Sequence, residues 1–196
     1  MKGLILKPMD TEVLKMDAYV DSDFMGLYGK EKRVDPDNVK SRTGFVICVN
    51  GCPIIWSSKL QDGVALSTTM AEYYALSTAM REVLPLRSLT KTVAKGLDIS
   101  PNCVTEFATT VWEDNNGALT LANLEPGQAT ARSKFYDSKV HWFRQHITRD
   151  GEDVAEEKRD GIYVRKIDTK LQKADIFTKC LPREPFEQLR KLLMGW

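Results

Sequence analysis

The stretch Gly44-Phe-Val-Ile-Cys-Val-Asn50, joined through Gly51-Cys52 to Pro53-Ile-Ile-Trp-Ser-Ser58, decides the fold that we predict for this chain. Both halves are short apolar runs, and the link between them begins with Asn-Gly, a pair that favours the tight turn of a β-hairpin. Upstream, residues 13–22 place Leu14, Met16, Ala18 and Val20 on one face, with the period of two that a strand requires. The chain is therefore expected to begin with three strands in an antiparallel arrangement.

Residues 67–95 have the pattern of a long amphipathic helix. Its apolar stripe has spacings of three and four and consists of Ala75, Leu76, Ala79, Met80, Val83 and Leu86. Ser67 or Thr68 is expected to cap the start, because a hydroxyl oxygen can accept hydrogen bonds from free backbone N–H groups there. Pro85 is expected to kink or interrupt the helix, since it lacks an N–H.

Strands and helices alternate in the rest of the chain. We predict strands over residues 109–113 and 161–167 and helices through 118–122, over 133–148, around 173–179 and around 186–193. This order indicates an α/β fold with a mixed five-stranded sheet, in which three antiparallel strands are extended by two parallel strands and helices cover both faces. We assign residues 1–12 to a linker from an upstream domain and residues 13–196 to one domain with a helical C-terminal tail.

Composition excludes few classes of protein. The 196 residues are 42% hydrophobic and 28% charged, as in an ordinary soluble domain, and no apolar run reaches the length of a membrane span. Four scattered cysteines suit reduced thiols in an intracellular protein better than a zinc site. His141 and His146 are five residues apart and do not form a metal-binding pair on one helix face. The net charge of +1 is uninformative, because a nuclease can combine a carboxylate centre with a basic rim.

Four carboxylates fall at the ends of predicted elements: Asp21, Glu72, Asp114 and Asp175. Hard divalent cations bind clustered carboxylate oxygens, and two such ions can activate water and stabilise the leaving oxygen of a phosphodiester. Acidic residues at strand ends and helix caps are also common for structural reasons, so spacing alone leaves both interpretations open. Asp23 is an alternative to Asp21 for the first ligand, because it follows two residues later on the same face of the strand.

Six blocks of sequence give these acids a context. In chain order they are Tyr19–Phe24, Lys40–Val46, Ile55–Lys59, Ala65–Leu76, Glu113–Leu119 and Lys173–Lys179. Together they resemble the ribonuclease H domain at the C-terminal end of copia-type retrotransposon polyproteins. The resemblance extends from about Ala18 to Trp196 and is specific because all six blocks occur in the same order.

The resemblance implies a ribonuclease H-like fold and a two-metal nuclease. By block position, Asp21, Glu72, Asp114 and Asp175 match the catalytic carboxylates, which in the family bind two Mg²⁺ ions, and Mn²⁺ is expected to substitute. The implied substrate is an RNA/DNA hybrid whose RNA strand is hydrolysed to leave a 3′-hydroxyl. The implied partner is the reverse transcriptase domain of the same polyprotein, within a cytoplasmic virus-like particle. Many ribonucleases H carry a mobile histidine before the last aspartate, and this chain has none between Ile147 and Asp175.

Five further residues are predicted to contact substrate. Ser67, Thr68 and Asn116 border the carboxylates and are candidates for sugar contacts, whereas Arg42 and Lys59 on the hairpin are candidates for phosphate contacts. Each is equally compatible with an ordinary surface role. A transposase or integrase shares this kind of sheet but is disfavoured by the lack of a Cys/His cluster. The main alternative is a catalytically silent domain that binds hybrid or supports a polymerase.

Overall fold

The sheet has five strands, and the chain crosses it in the order predicted from the sequence. The computed structural model describes residues 3–9, 13–29, 35–99, 106–131, 133–149 and 160–196. Its strands are β1 (Lys15–Asp23), β2 (Arg42–Val49), β3 (Cys52–Leu60), β4 (Ala108–Glu113) and β5 (Ile162–Lys166). Its α-helices are α1 (Thr68–Gly96), α2 (Asn116–Asn123), α3 (Asp175–Thr178) and α4 (Arg183–Met194).

The strand order is β3-β2-β1-β4-β5. The first three strands pair antiparallel, and β4 and β5 extend the sheet in parallel from β1. Asn50 and Gly51 both have positive φ angles, 45° and 79°, as the predicted tight turn between β2 and β3 requires. The fold class predicted above, a ribonuclease H-like mixed sheet, is confirmed.

One face of the sheet packs against α1. Met16, Ala18 and Val20 of β1 are fully buried and share a core cluster with the apolar stripe of α1. α1 continues through Pro85, so the interruption expected there does not occur. Pro85 is exposed, which puts the proline ring and the missing hydrogen bond on the solvent side of the helix.

The opposite face of the sheet carries α3. Asp21 alternates with Val20 along β1, and its carboxylate accepts a hydrogen bond from the Thr178 hydroxyl of α3. A Cβ atom on Gly44, the residue paired with Asp21 on β2, would lie 2.5 Å from Thr178 Cγ2 and 2.9 Å from Phe177 Cβ. A residue without a side chain is required at position 44 because α3 approaches the sheet so closely.

The single helix predicted over residues 133–148 is wrong. That segment contains three short 3-10 turns, Ser133–Phe135, Ser138–Val140 and Trp142–His146. The Asp137 side chain accepts a hydrogen bond from the backbone N–H of Lys139, a local bond that competes with a continuous α-helix. Val140, Phe143 and Ile147 are nonetheless buried in the core, as the apolar pattern indicated.

Part of the predicted linker lies against the domain. Within residues 3–9, the backbone N–H of Ile5 donates to the carbonyl of Met194 at 2.9 Å, and that of Met9 donates to the carbonyl of Asn50 at 2.8 Å. The remainder of the predicted linker, and Cys103, fall outside the described residues. In the described part of the chain, none of the helices is both long and apolar enough to traverse a bilayer.

Candidate functional site

Three of the four predicted carboxylates meet where the neighbouring strands β1 and β4 end. Asp21 lies near the end of β1, Asp114 directly follows β4, and Glu72 lies in the second turn of α1. One oxygen of each carboxylate lies within 4.8 Å of the other two. Asp21 and Asp114 come together because β1 and β4 run parallel and Tyr19 pairs with Trp112, two residues earlier in each strand. Spacing in the sequence alone could not supply this register.

Local hydrogen bonds hold the backbone around these carboxylates. The hydroxyl of Ser67 accepts from the backbone N–H of Met70 at 3.1 Å and so caps α1, as predicted. Asn115 caps α2 in the same way, by accepting from the N–H of Ala118 at 3.0 Å. The Lys166 ammonium donates to the backbone carbonyl of Asp114. Both helices therefore begin at fixed points beside the acidic group.

Burial raises the affinity of this group for protons. Asp21 is fully buried, and burial raises the pKa of its carboxyl to about 7, against the opposing effect of the Lys179 charge. Burial, followed by the charges of Glu113, Asp21 and Asp114, raises the pKa of Glu72 to about 10. One oxygen of Glu72, Oε2, is buried without a hydrogen-bond partner among the described residues. Without a cation, burial and the neighbouring acids therefore disfavour the charged forms of Asp21 and Glu72.

Glu113 is a further buried carboxylate, which the sequence analysis missed. Its Oε1 accepts from the backbone N–H of Asn115 at 2.9 Å, and its Oε2 has no partner among the described residues. Burial raises the pKa of Glu113 to about 8. Alternation along β4 was the available signal, because Thr109, Val111 and Glu113 share one face and are all fully buried.

Asp175 reaches the site through Lys179. Asp175 is the first residue of α3, and its Oδ1 accepts from the ammonium of Lys179 at 2.9 Å. The same ammonium donates to Asp21 Oδ1 at 2.9 Å, and the Thr178 hydroxyl donates to Asp21 Oδ2. The structure therefore links Asp175 to Asp21 by an intervening cation rather than by direct clustering with the other three carboxylates. Lys179 was absent from the candidates, although its spacing of four from Asp175 favours a helical ion pair.

Asp23, the alternative first ligand, lies elsewhere. Its carboxylate sits directly over Gly26, at the position where a Cβ atom on that glycine would be. It does not belong to the group formed by Asp21, Glu72 and Asp114. Among the described residues the geometry thus favours Asp21 for a cation-binding role.

The donor set suits a hard divalent cation. All the converging atoms are carboxylate oxygens, and a buried oxygen of Glu72 lacks a partner. Mg²⁺, Mn²⁺ and Ca²⁺ prefer such oxygens, whereas zinc sites usually include Cys or His ligands. The residues present therefore fit the kind of ion that the sequence analysis predicted.

Two of the three predicted sugar-contact residues line a cleft at the starts of α1 and α2. The cleft has a volume of about 880 Å³ and is also bordered by Thr130, Ala131, Phe135 and Tyr136. Ser67 and Thr68 line it from α1, and Gly117 and Thr120 line it from α2. Asn116, the first residue of α2, is exposed beside them. Thr68 and Asn116 are exposed and Ser67 is half-buried, so all three have surface that a ligand can reach.

The predicted phosphate-contact residues lie on the hairpin. Arg42 of β2 pairs with Asp23 of β1 and donates from Nη1 to the Ser58 hydroxyl at 3.2 Å. Lys59 of β3 is exposed and lines a second cleft of about 390 Å³, on the side of Tyr74 and Gln61. The structure does not place Lys59 in the cleft that Ser67 and Thr68 line.

Without metal, the protein should lose stability as the pH rises. Asp21, Glu72 and Glu113 all have raised pKa values, so the folded chain binds more protons than the unfolded chain between about pH 4.5 and pH 10. The free energy of unfolding then decreases with pH across that window, and we expect Tm in EDTA to be lower by about 5 °C or more at pH 8.5 than at pH 5. Circular dichroism melts would measure this change in Tm.

Because a cation competes with the protons, Mg²⁺ should raise Tm more at the higher pH. A metal-free Tm that rises between these pH values would contradict the prediction.

Comparisons with known proteins agree with the resemblance stated above. No family model matches the chain. It is 32% identical over 178 residues to the retrovirus-related Pol polyprotein from transposon TNT 1-94 of Nicotiana tabacum, covering 91% of this chain and 11% of the relative. It is 29% identical over 190 residues to the corresponding polyprotein from transposon RE2 of Arabidopsis thaliana, covering 96% and 11%. Among solved structures, LC11-RNase H1, isolated from compost, superposes with a TM-score of 0.42 at 14% identity and with 93% coverage of both chains.

The sheet, in which three antiparallel strands are extended by two parallel ones, is that of a ribonuclease H-like fold. Retrovirus-related Pol polyproteins of copia-type plant transposons are homologous to this chain over 91–96% of its length. It spans 11% of the length of these curated relatives.

Proposed function

We propose that this chain is a metal-dependent ribonuclease H, which hydrolyses the RNA strand of an RNA/DNA hybrid during reverse transcription of a retrotransposon. The observation that carries the proposal is the convergence of Asp21, Glu72 and Asp114 at one edge of the sheet. Homology to retrovirus-related Pol polyproteins supports the same function, because such elements copy RNA into DNA.

The catalytic residues would be Asp21, Glu72, Asp114 and Asp175, which would hold two Mg²⁺ ions, with Mn²⁺ as a substitute. When bound, such ions lower the pKa of coordinated water and stabilise charge on a departing phosphodiester oxygen. The chain's own contribution is to hold these four carboxylates in place. Ser67 and Asn115 cap the two neighbouring helices, and Thr178 holds one oxygen of Asp21.

The nucleophile would be water. His141 Nδ1 lies 3.0 Å from the Tyr73 hydroxyl and His146 is exposed, so neither histidine belongs to the acidic group. A Ser-His or Cys-His pair at the carboxylates is not present among the described residues. Because the sequence has no histidine between Ile147 and Asp175, proton transfer or product release would use another group or water.

Substrate would be recognised through its backbone and its RNA 2′-hydroxyls. Ser67, Thr68 and Asn116 would make the sugar contacts, which is supported by Ser67 and Thr68 lining the 880 Å³ cleft and by the exposure of Asn116 at the start of α2. Arg42 and Lys59 would meet phosphates farther along the hybrid. The reverse transcriptase domain of the same polyprotein would be the partner, within a cytoplasmic virus-like particle.

A cleavage assay tests this proposal directly. The chain is incubated with an end-labelled RNA/DNA hybrid in Mg²⁺ or Mn²⁺, beside duplex RNA and duplex DNA. We expect cleavage of the RNA strand of the hybrid alone, abolished by EDTA and reduced on the order of a thousandfold or more by Asp114→Asn. Asp98→Asn is the matched control, because Asp98 is exposed beyond the C-terminal end of α1.

Binding of hybrid by folded protein without cleavage in either metal would contradict the proposal. That result would instead identify a catalytically silent domain that binds hybrid or supports a polymerase.

A further inference from the structure

Lys179 bridges two carboxylates that the proposed mechanism assigns to a metal ion. Its ammonium lies 2.9 Å from Asp21 Oδ1 and 2.9 Å from Asp175 Oδ1. Asp21 has no exposed side-chain surface, and only 9% of the Asp175 side chain is exposed, whereas 34% of the Lys179 side chain is. The cation therefore reaches from the solvent side into a buried pair of acids.

The Lys179 ammonium offsets the repulsion between the carboxylates of the metal-free site. Among the described residues, Lys179 is the one cationic side chain that forms an ion pair with any of Asp21, Glu72, Asp114 and Asp175. Like charges at such short range repel strongly when burial reduces solvent screening. An ammonium with three N–H donors can satisfy an oxygen of each partner at once.

We propose that Lys179 is an internal counter-ion of the site, which occupies the space between Asp21 and Asp175 and must be displaced when a divalent cation binds there. This inference rests on the proposed function, since it assumes that Asp21 and Asp175 are cation ligands. Lys179 thereby lowers the affinity of the site for metal. In the metal-free protein it keeps the two acids in place. Its flexible, partly exposed side chain can turn to solvent once a stronger cation arrives.

A purely structural role for Lys179 makes a different prediction. If the lysine only docks α3 on the sheet, its removal loosens Asp175 and weakens metal binding. If the lysine competes with the metal, its removal strengthens metal binding. Both roles predict lower stability of the metal-free protein, so the sign of the change in metal affinity separates them.

The test is a calorimetric titration of substrate-free protein with Mn²⁺ alone. Lys179→Met keeps the length of the side chain and removes its charge, and we expect it to bind Mn²⁺ roughly tenfold more tightly than the wild type. Lys179→Arg retains the charge and should stay within about threefold of the wild type. Lys95→Met is the matched control for net charge, because Lys95 is exposed in the last turn of α1, at the opposite end of that helix from Glu72, and it should leave the affinity unchanged.

An unchanged or weaker Mn²⁺ affinity of Lys179→Met would overturn the proposal. If neither that variant nor the wild type binds Mn²⁺, both the metal site and the role of Lys179 are wrong. Mn²⁺ binding that responds as expected, in a protein that cuts no hybrid, would refute the ribonuclease activity alone.

A second measurement covers the case in which Lys179→Met does not fold. The side-chain ¹⁵N resonance of Lys179 in the wild type, assigned from its loss in Lys179→Arg, is followed during titration with Mg²⁺. Displacement should move this signal toward that of a solvent-exposed lysine. A resonance that stays unmoved at saturating Mg²⁺ would also overturn the proposal.

Discussion

Replacing Glu72 with Gln should lower hybrid cleavage on the order of a thousandfold and, at the same time, raise Tm of the metal-free protein. Activity falls because the amide removes a charged ligand from the group that Glu72 forms with Asp21 and Asp114. Stability rises because Gln has the same shape and no charge to bury. Destabilising charge at a functional site is a common reason for such opposite effects.

The size of the stabilisation follows from the surroundings of Glu72. Only 6% of its surface is exposed, one of its oxygens lacks a hydrogen-bond partner, and Glu113, Asp21 and Asp114 all repel its charge. We expect a gain of roughly 5 °C in Tm at pH 8 in EDTA. The gain should be smaller at pH 5, because that pH is close to the ordinary pKa of a glutamate in the unfolded chain, and keeping Glu72 protonated in the folded chain then costs little. Thermal melts and the hybrid assay would measure the two effects on the same preparation.

Glu82→Gln provides the control, since Glu82 lies on the same helix and is exposed. It should change neither quantity. Lost cleavage together with a lower metal-free Tm for Glu72→Gln would mean that this glutamate supports the fold rather than the chemistry.

The second large effect concerns stability alone: Arg87→Met should lower the free energy of unfolding by about 3 kcal/mol. Only 8% of Arg87 is exposed. Its guanidinium donates to the backbone carbonyl of Phe107, to the Thr109 hydroxyl at 2.6 Å and to the carbonyl of Asp160 at 2.8 Å. It also forms an ion pair with the Asp160 carboxylate.

These contacts connect α1 with the chain entering β4 and β5. Methionine can fill the volume of the arginine stem but leaves a buried carbonyl and a buried hydroxyl without their donor. Urea unfolding would measure the loss, and Arg81→Met, an exposed position on the same helix, serves as the control. A loss below about 1 kcal/mol would show that other groups or water satisfy these acceptors.

Much of the fold could be predicted because its signals are local. The turn at Asn50-Gly51, the alternation in β1 and the stripe of α1 each depend on residues close in sequence. The segment at residues 133–148 could not be predicted in this way, because polar side chains such as Asp137 break a helical pattern whose apolar residues are still buried. Apolar residues at helical spacing are therefore buried here by three consecutive 3-10 turns instead of by one α-helix.

The sequence predicted the three carboxylates that cluster in the candidate site, but it did not predict the residues that contact or adjoin them. Asp21, Glu72 and Asp114 were named from element ends and from the resemblance, and the structure brings them together. Glu113 and Lys179 were missed because their roles depend on burial and on contacts across the fold. Lys179 lies 158 residues from Asp21 in sequence, a separation that periodicity cannot bridge.

The backbone contact between Ile5 and Met194 brings the two ends of the described chain side by side. A domain in which the segment at Ile5 lies beside the segment at Met194 can be carried within a longer polypeptide as a closed loop, whose two strands of connecting chain would lie on one side of the domain. The folded domain already holds the two segments together, so no further entropic cost arises from bringing them close. The same proximity makes the molecule suited to circular permutation, with a short linker joining its present ends and new ends opened in an exposed turn.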